Sequence, residues 1–206
     1  APEECLFRAC ELVGLSLGMR AMYDDDVIIP ALQNSGVSLR DARDYGIIGG
    51  VGPQEPHRTE GWHDAAFFNV AKVLEITLNN GRSGSKQIGP VTGELTQYAG
   101  IDDFYTAFKT QMAHFVHQLV EACNSVDIAH GERCPLPFLS AMVDDCIGRG
   151  KSLQEGGAIY NFTGPQAFGI ADTRDSVYPL QKLVLEDRRL TFPGLQGALA
   201  SNFLSP

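Results

Sequence analysis

The most regular hydrophobic pattern in this chain lies at residues 102–128, where apolar side chains recur every three or four positions. That period is typical of an α-helix that buries one face. Asp102 and Asp103 suit its first turn, because carboxylates complement the positive end of the helix dipole. The pattern therefore predicts one long amphipathic helix. Its predicted buried stripe consists of Phe104, Phe108, Met112, Phe115, Leu119, Cys123 and Val126.

A second helix is predicted over residues 64–79, where polar residues repeat at spacings of three and four. Asp64 is of the residue type that caps a helix N-terminus, and Gly81 stands where a C-terminal glycine is expected. The predicted buried side consists of Phe67, Val70, Ala71, Leu74 and Leu78. We therefore expect a helix that Asp64 caps, followed by a glycine-rich loop at 80–100.

Two shorter helices are predicted near the N-terminus. Residues 3–17 form the first, and three aspartates at 24–26 precede a second that reaches Leu32. Aspartate side chains cap free backbone N–H groups and favour a helix N-terminus. We expect that role for the three aspartates, and a metal site is the alternative.

Short β-like runs separate these helices. Residues 45–48 predict a strand, whereas residues 49–56 contain so much glycine and proline that we expect an irregular loop. A last amphipathic segment is predicted over residues 175–186. Helices that alternate with short β-like runs indicate an α/β fold.

Composition and charge restrict the partners. The chain has 206 residues, of which 44% are hydrophobic and 20% are charged, so it can bury a core and is not intrinsically disordered. The net charge of −9 argues against nucleic acid, which binds clustered Lys and Arg. No apolar run approaches the ~20 residues of a membrane span, and we expect no membrane association.

The five cysteines are widely spaced and odd in number. A chain of this size does not need disulfides for stability, so we expect reduced thiols and a cytoplasmic location.

The chain also begins without Met inside a predicted helix and ends in a weakly patterned tail. We expect it to be a piece of a longer protein.

One cluster on the long predicted helix could hold a metal ion. His114, His117 and Glu121 share a face at spacings of three and four, and imidazoles with carboxylates are metal ligands. At about 100° per residue, however, this face points away from the apolar stripe. We favour a surface that faces solvent or a partner and assign no metal ligand, with a metal-binding module as the alternative.

Two long motifs extend over residues 41–69 and 127–162. Their strings are DARDYGIIG (41–49), PQ (53–54), TEGWHDAAFFN (59–69), DIAH (127–130), PLPFL (135–139), GKSLQEGGA (150–158) and YNF (160–162). Together they resemble the glycyl radical enzyme family, the large anaerobic lyases related to pyruvate formate-lyase. The resemblance covers about residues 1–190.

Within that family, the string EGWHD at 60–64 most resembles the dehydratases that act on glycerol or hydroxyproline. It does not resemble pyruvate formate-lyase itself, which carries paired cysteines in its active-site loop. The resemblance implies an α/β fold in which residues 1–206 form part of a ten-stranded barrel with surrounding helices. The N-terminal part and the C-terminal glycyl radical domain would be absent from this chain.

The resemblance also implies partners and cofactors. The substrate of the intact family is a small polyol or a hydroxy-amino acid, and no cofactor binds directly. A glycyl radical is installed by a radical activating enzyme that uses S-adenosylmethionine and an iron–sulfur cluster. The resemblance leaves room for a homodimer of the full-length protein.

The active-site loop departs from the family. In the family, a cysteine of this loop takes the radical and removes a hydrogen atom from the substrate. In the dehydratases, a carboxylate two residues after the cysteine is the base. The loop should read Gly-Cys-Val-Glu-Pro but reads GGVGP at 49–53, so Gly50 and Gly52 stand at the positions of the two catalytic residues. Loss of a general base alone costs about 10²–10⁴-fold in rate, and glycine has no sulfur. We expect this chain not to be catalytic.

Other positions of the motifs keep their side chains. Asp64 matches a position that contacts substrate hydroxyls in the dehydratases, and His63 is a second substrate-binding candidate, with structural hydrogen bonding as its alternative role. Glu55 and Glu60 lie on the same loop, but a shift along the chain moves a carboxylate too far to replace the lost base. None of the cysteines is expected to replace the lost thiol.

Two adjacent glycines, Gly156 and Gly157, are expected to permit a tight turn that Tyr160 and Asn161 hold in place.

A part of a barrel also leaves strand edges without neighbours, so we expect the isolated chain to associate or to pack loosely. The competing function is a non-catalytic binding or scaffolding relative that keeps the barrel and a ligand pocket around Asp64.

Overall fold

A computed structural model of the protein describes residues 3–15, 23–50 and 52–204. They divide into a first unit, residues 1–63 with 134–162, and a second unit, residues 64–133 with 163–206. Leu17, the predicted end of the first helix, lies outside the described residues, as does Val51.

Helices and short strands follow one another along the chain. The helices are α1 (Glu3–Gly14), α2 (Asp25–Asn34), α3 (Leu39–Ala42), α4 (Val70–Leu78), α5 (Ile101–Arg133), α6 (Pro137–Ser140), α7 (Cys146–Arg149), α8 (Ile170–Pro179) and α9 (Phe192–Ala200). The strands are β1 (Gly46–Ile48), β2 (Gly52–Gln54), β3 (Thr59–Asn69), β4 (Arg82–Ser83), β5 (Lys86–Gln87) and β6 (Tyr160–Phe168). Turns of 3₁₀-helix lie at Leu95–Gln97 and Leu153–Glu155, and a π-helical segment lies at Leu180–Glu186.

In the first unit, α2 begins as predicted. Asp24 is its N-cap, and the Asp24 carboxylate accepts a hydrogen bond from the backbone N–H of Asp26 at 3.0 Å. Helix α1 has no buried residue. The main apolar cluster of this unit consists of buried Leu32, Val37 and Ala42, against which Ile28, Ile29, Tyr45, Tyr160 and Phe162 pack.

An antiparallel hairpin, β1–β2, follows α3. Its register pairs Gly46 with Gln54, Ile47 with Pro53 and Ile48 with Gly52. The predicted strand at 45–48 is confirmed, but the prediction that 49–56 is an irregular loop is wrong. Glycines with positive φ form the turn, and proline can occupy an edge strand where its missing N–H is not needed for pairing.

The predicted turn at Gly156 and Gly157 is present, and Asn161 holds it as predicted, whereas the hydroxyl of Tyr160 bonds to Asp41 outside the turn. Gly156 has a φ of +78°, and a Cβ on Gly157 would overlap the carbonyl oxygens of Lys151 and Ser152. The side-chain amide of Asn161 donates a hydrogen bond to the carbonyl of Ala158 at 2.9 Å. Both glycines are therefore required by the backbone around them.

In the second unit, the predicted start of α4 at Asp64 is wrong. Residues 59–69 form strand β3, which pairs with β6, and α4 begins at Val70. The N-cap is Asn69, whose side chain accepts a hydrogen bond from the N–H of Lys72 at 2.9 Å. The backbone pairing with a distant strand overrides the local helical period, and Phe67, predicted to be buried, is 68% exposed.

The C-terminal end of α4 agrees with the prediction. The N–H of Gly81 donates to the carbonyl of Ile76 at 2.8 Å, and both Asn80 and Gly81 have positive φ. This is the Schellman arrangement that satisfies the last carbonyls of a helix. The predicted loop at 80–100 also contains the short β4–β5 hairpin and a 3₁₀ turn.

Helix α5 confirms the long predicted helix and extends it to Arg133. Phe104 and Cys123 are buried as predicted, whereas Val126 is 41% exposed, because the apolar core of this unit does not reach that end of the helix. That core consists of Leu74, Leu95, Phe104, Leu180, Val184 and Phe192. The last predicted amphipathic segment is present, but it begins at Ile170 instead of Asp175.

The described residues thus combine helices with two-stranded sheets, in agreement with the predicted α/β composition. The described segments alone do not form a ten-stranded barrel. Among the helices that the structure describes, none has both the length and the apolar character that crossing a membrane requires.

Candidate active site

Gly50 lies in the turn of the β1–β2 hairpin, in the first unit. Gly49 has a φ of +60° and Gly50 a φ of +88°. A Cβ added to Gly50 would have no heavy atom within 4 Å, so there is space for a side chain. The backbone conformation, however, is one that residues with a Cβ rarely adopt.

Gly52 begins strand β2, and there the space for a side chain is restricted instead of the backbone conformation. A Cβ at this position would lie 3.0 Å from Cβ and 3.3 Å from Cγ of His63, and 3.4 Å from Cγ2 of Ile48. Its backbone is not left-handed. Gly52 is therefore limited by packing, whereas Gly50 is limited by its dihedral angle.

His63 is brought to the same hairpin. Its Nε2 lies 3.2 Å from Oε1 of Gln54 in strand β2, and its Cβ is the atom closest to the space beside Gly52. The structure thus brings together Gly52 and His63, two of the predicted site residues. The hydrogen bond to Gln54 also gives His63 the structural role that was its alternative.

Asp64 belongs to the second unit. Its side chain is exposed, and its Oδ1 accepts a hydrogen bond from the side-chain amide of Gln166 in strand β6. Because Asn69 caps helix α4, Asp64 does not cap it. Nothing in the local sequence of Asp64 indicates Gln166, because the contact depends on the pairing of two distant strands.

Sequence reasoning missed a contact to the turn. The hydroxyl of Tyr23 donates a hydrogen bond to the backbone carbonyl of Gly50, 27 residues further along the chain. Tyr45, at the start of the hairpin, donates its hydroxyl to Oδ1 of Asp25 at 2.7 Å, which raises the pKa of Tyr45. Two tyrosines therefore connect the hairpin to the region around the start of α2.

Glu55 follows the hairpin directly and is buried, with 2% of its surface exposed. Its Oε2 accepts a hydrogen bond from the hydroxyl of Thr59 at 2.6 Å, and that hydroxyl oxygen accepts one from the N–H of Glu55 at 3.1 Å. Oε1 of Glu55 is buried and has no partner among the described residues. The carboxylate is thus held within the turn that follows β2.

An ion-pair network fixes the end of that turn. The guanidinium of Arg58 pairs with Asp41, and Nε of Arg58 lies 3.6 Å from Oδ2 of Asp144. Asp41 also accepts the hydroxyl of Tyr160 at 2.7 Å. Hydrogen bonds with Tyr160 and then Ser38, with the nearby charge of Arg58, hold the pKa of Asp41 below its usual value.

The cysteines are free and lie away from the turn in sequence. Cys123 and Cys146 are buried, and Cys5, Cys10 and Cys134 are exposed. Burial raises the pKa of the Cys146 thiol, with a smaller contribution from the charge of Asp145. A raised pKa lowers the thiolate fraction and hence the reactivity of this sulfur.

The histidines of α5 do not converge on one point. Nε2 of His117 lies 3.2 Å from Oε1 of Glu121, and both side chains are exposed. His114 instead places its Nε2 3.3 Å from the carbonyl oxygen of Ile88. In the part of the chain that the structure describes, no group of three or more His, Cys, Asp or Glu residues is arranged to hold a metal ion.

Several known proteins of similar structure and sequence are dehydratases. The chain resembles the glycerol-bound form of the B12-independent glycerol dehydratase from Clostridium butyricum, with a TM-score of 0.88 and 52% identity over 98% of this chain and 26% of that one. It is 34% identical to (2S)-3-sulfopropanediol dehydratase from Klebsiella oxytoca, over 98% of this chain and 25% of that protein. It is 32% identical to trans-4-hydroxy-L-proline dehydratase from Clostridioides difficile, over 98% of this chain and 26% of that protein.

The chain therefore spans about a quarter of the length of the relatives it matches. A model of the pyruvate formate lyase-like family matches residues 1–206. The motifs at 41–69 and 127–162 lie within that match. The chain belongs to the pyruvate formate lyase-like family, and within it to the glycyl radical enzymes near the dehydratase branch.

Proposed function

We propose that this chain forms part of the barrel of a glycyl radical dehydratase whose hydrogen-abstracting loop is inactive. The observation that carries the proposal is the pair Gly50 and Gly52, which stand where the family's thiol and carboxylate are expected, between motifs that otherwise match. In this proposal, the rest of the barrel and the glycyl radical domain lie in a longer parent protein, since the chain spans about a quarter of the length of its relatives.

The residues present do not fit a radical relay through this loop. Hydrogen-atom abstraction needs a sulfur at position 50, and a base must lie within hydrogen-bond reach of the proton that it removes. Glycine supplies neither group at positions 50 and 52. Glu55 cannot reach out of its turn while Thr59 holds its carboxylate. An activating enzyme that uses S-adenosylmethionine and an iron–sulfur cluster would still install a glycyl radical in the parent protein, but no step through Gly50 would follow.

Asp64 is proposed as the group that binds substrate hydroxyls. Its exposure and its hydrogen bond from Gln166 support this role, since the amide orients one carboxylate oxygen and leaves the other available. His63 is proposed as a second substrate-binding residue. The substrate class is a small polyol or a hydroxy-amino acid, as the names of the related dehydratases suggest.

The proposal is tested by restoring both side chains in the full-length parent. The double variant Gly50→Cys/Gly52→Glu is activated anaerobically and supplied with glycerol or trans-4-hydroxy-L-proline. We expect loss of water from one of these substrates in the double variant. The single variant Gly50→Cys has the thiol without the base and is expected to be about 10²–10⁴-fold slower. A double variant that carries the glycyl radical but is no faster than the unaltered parent would contradict the proposal.

The second candidate is a non-catalytic binding or scaffolding relative. The retained, exposed carboxylate of Asp64 favours it, because ligand binding does not need the lost thiol. Calorimetric titration of the full-length parent with glycerol and larger polyols should then show saturable binding that Asp64→Asn abolishes. Absence of saturable binding in the parent removes this candidate.

We further propose that the parent works in the cytoplasm and assembles as a homodimer. The free state of all five cysteines supports a reducing compartment. The redox state of the cysteines in the purified parent tests the first statement. The mass of the parent in solution tests the second.

A further inference from the structure

We propose that Asn80–Gly81 is a deamidation site that the folded chain protects, and that deamidation there opens the loop at residues 80–94. Asparagine is a thermolabile residue. A following glycine makes it more so, since glycine has no side chain to hinder attack by its backbone nitrogen. Both residues belong to the second unit, and the inference does not depend on the proposed function.

The fold itself requires this labile dipeptide. Asn80 has a φ of +52°, a left-handed conformation that asparagine adopts more readily than most residues with a Cβ. Gly81 has a φ of +82°, and a Cβ added to it would overlap the carbonyl oxygens of Gly89 and Pro90. Other residues at these two positions would strain the turn that ends α4.

The side chain of Asn80 holds the loop closed. Its Oδ1 accepts hydrogen bonds from the N–H groups of Thr92 at 2.8 Å and Gly93 at 2.9 Å. Its Nδ2 donates to Oε1 of Glu94 at 2.9 Å. Only 6% of Asn80 is exposed, so these bonds take the place of contacts with water. One carboxamide thus connects the end of α4 to residues 92–94.

Deamidation begins when the backbone nitrogen of Gly81 attacks Cγ of Asn80. A bond forms between these two atoms, and the side-chain NH₂ of Asn80 leaves as ammonia with the proton of the Gly81 N–H. Water then opens the resulting cyclic imide at either carbonyl and leaves aspartate or isoaspartate. Each reaction consumes one water and releases one ammonia, so it needs no oxidant or reductant.

The folded chain opposes the first step at both reacting groups. The N–H of Gly81 donates to the carbonyl of Ile76 at 2.8 Å, so its proton is held by the helix end. The carboxamide of Asn80 must leave its partners at residues 92–94 before Cγ can meet the nitrogen of Gly81. Deamidation therefore requires that the loop open first.

Both products are incompatible with the closed loop. Aspartate at position 80 still accepts from the backbone of residues 92–93, but it turns a carboxylate toward Glu94 instead of a donor. Two carboxylates at this distance repel each other, and the new one is almost fully buried. Arg82 offsets only part of the repulsion, because its Nη1 lies 3.8 Å from Oε1 of Glu94 and its side chain is half-exposed. Isoaspartate adds a carbon to the main chain between the N–H groups of residues 80 and 81, which close the end of α4.

The first test measures deamidation of the full-length parent by peptide mass spectrometry at mildly alkaline pH. We expect Asn80 to react at least about tenfold more slowly in the folded parent than in guanidinium chloride. Glu94→Ala removes the acceptor of Nδ2 and should accelerate the reaction in the folded parent by about fivefold, the factor that a hydrogen bond of ~1 kcal/mol represents. Glu132→Ala, at an exposed glutamate of the same unit, is the matched control and should have no effect.

The second test imitates the aspartate product. Asn80→Asp should accelerate amide exchange of residues 88–94 in the parent by about tenfold, because a buried donor has become a second carboxylate. Asn80→Asp/Glu94→Gln restores a donor opposite that carboxylate and should recover most of the protection. Asn202→Asp is the control, because Asn202 is exposed and has a similar φ of +51°.

Three results would overturn the inference. Equal deamidation of Asn80 in the folded and denatured parent, or an unchanged rate in Glu94→Ala, would show that the fold does not protect the site in this way. An Asn80→Asp variant that exchanges like the unaltered parent would show that deamidation does not open the loop. A double variant no better protected than Asn80→Asp would show that repulsion from Glu94 is not the cause.

Discussion

At the scale of single residues, Asp41 connects several parts of the first unit. Its carboxylate accepts from the guanidinium of Arg58 and from the hydroxyl of Tyr160, and its side chain is 13% exposed. These contacts join α3, the turn after β2 and the start of β6. Because they favour the charged form, the pKa of Asp41 is lowered in the folded protein.

The lowered pKa of Asp41 predicts a dependence of stability on pH. A carboxyl whose folded-state pKa is below its unfolded value stabilises the protein above the unfolded pKa, and this stabilisation is lost as the pH falls through the folded pKa. Tyr160→Phe removes the largest cause of the shift, so the pKa of Asp41 should rise toward its ordinary value. Carboxyl-carbon NMR titration measures the change.

The control for this titration is Tyr178→Phe, which removes the hydroxyl of an exposed tyrosine in the second unit. It should leave the Asp41 titration unchanged. A Tyr160→Phe variant with the same Asp41 titration as the unaltered chain would contradict the assignment of the shift to the Tyr160 hydroxyl.

At the scale of elements, local patterns predicted those parts that local contacts determine. The N-terminus of α2 at Asp24, the start of α5 near Asp102 and the end of α4 near Gly81 follow from capping and periodicity within a few residues. The start of α4 could not be predicted in this way. Strand β3 continues to Asn69 because it pairs with β6, which lies about ninety residues away in the sequence. The bond from Tyr23 to Gly50 escaped prediction for the same reason.

The corrected start of α4 can be measured. Asn69→Ala removes the side chain that accepts from the N–H of Lys72 and should destabilise the second unit by about 1 kcal/mol. Asp64→Ala should have no such effect on the helix, because Asp64 lies inside strand β3. Amide exchange of residues 70–73 distinguishes the two variants, and a larger effect of Asp64→Ala would restore the capping role that the sequence suggested.

At the scale of the whole molecule, many large apolar side chains face solvent. Helix α1 buries none of its residues, and Phe138, Ile147 and Leu15 are 80%, 76% and 71% exposed. Exposed apolar surface of this extent is typical of faces that other chain segments cover. Its presence agrees with a chain that spans about a quarter of its relatives.

We therefore predict that the isolated 206-residue chain associates and binds a hydrophobic dye such as ANS. Phe138→Glu and Ile147→Glu should reduce both effects, because each replaces an exposed apolar side chain of the first unit with a charge. Gln33→Glu is the control, since it adds the same charge at an exposed polar residue of the first unit and removes no apolar surface. Light scattering and dye fluorescence give the answer, and a sharp cooperative melt of a monomer would contradict the prediction.

The most direct test of the central claim uses the unaltered full-length parent. It is activated anaerobically, the glycyl radical is quantified by electron paramagnetic resonance, and glycerol or trans-4-hydroxy-L-proline is added. With glycine at positions 50 and 52, we predict no product above the unactivated control even when the radical is present. Product formation at the rate of the Gly50→Cys/Gly52→Glu variant would contradict the account.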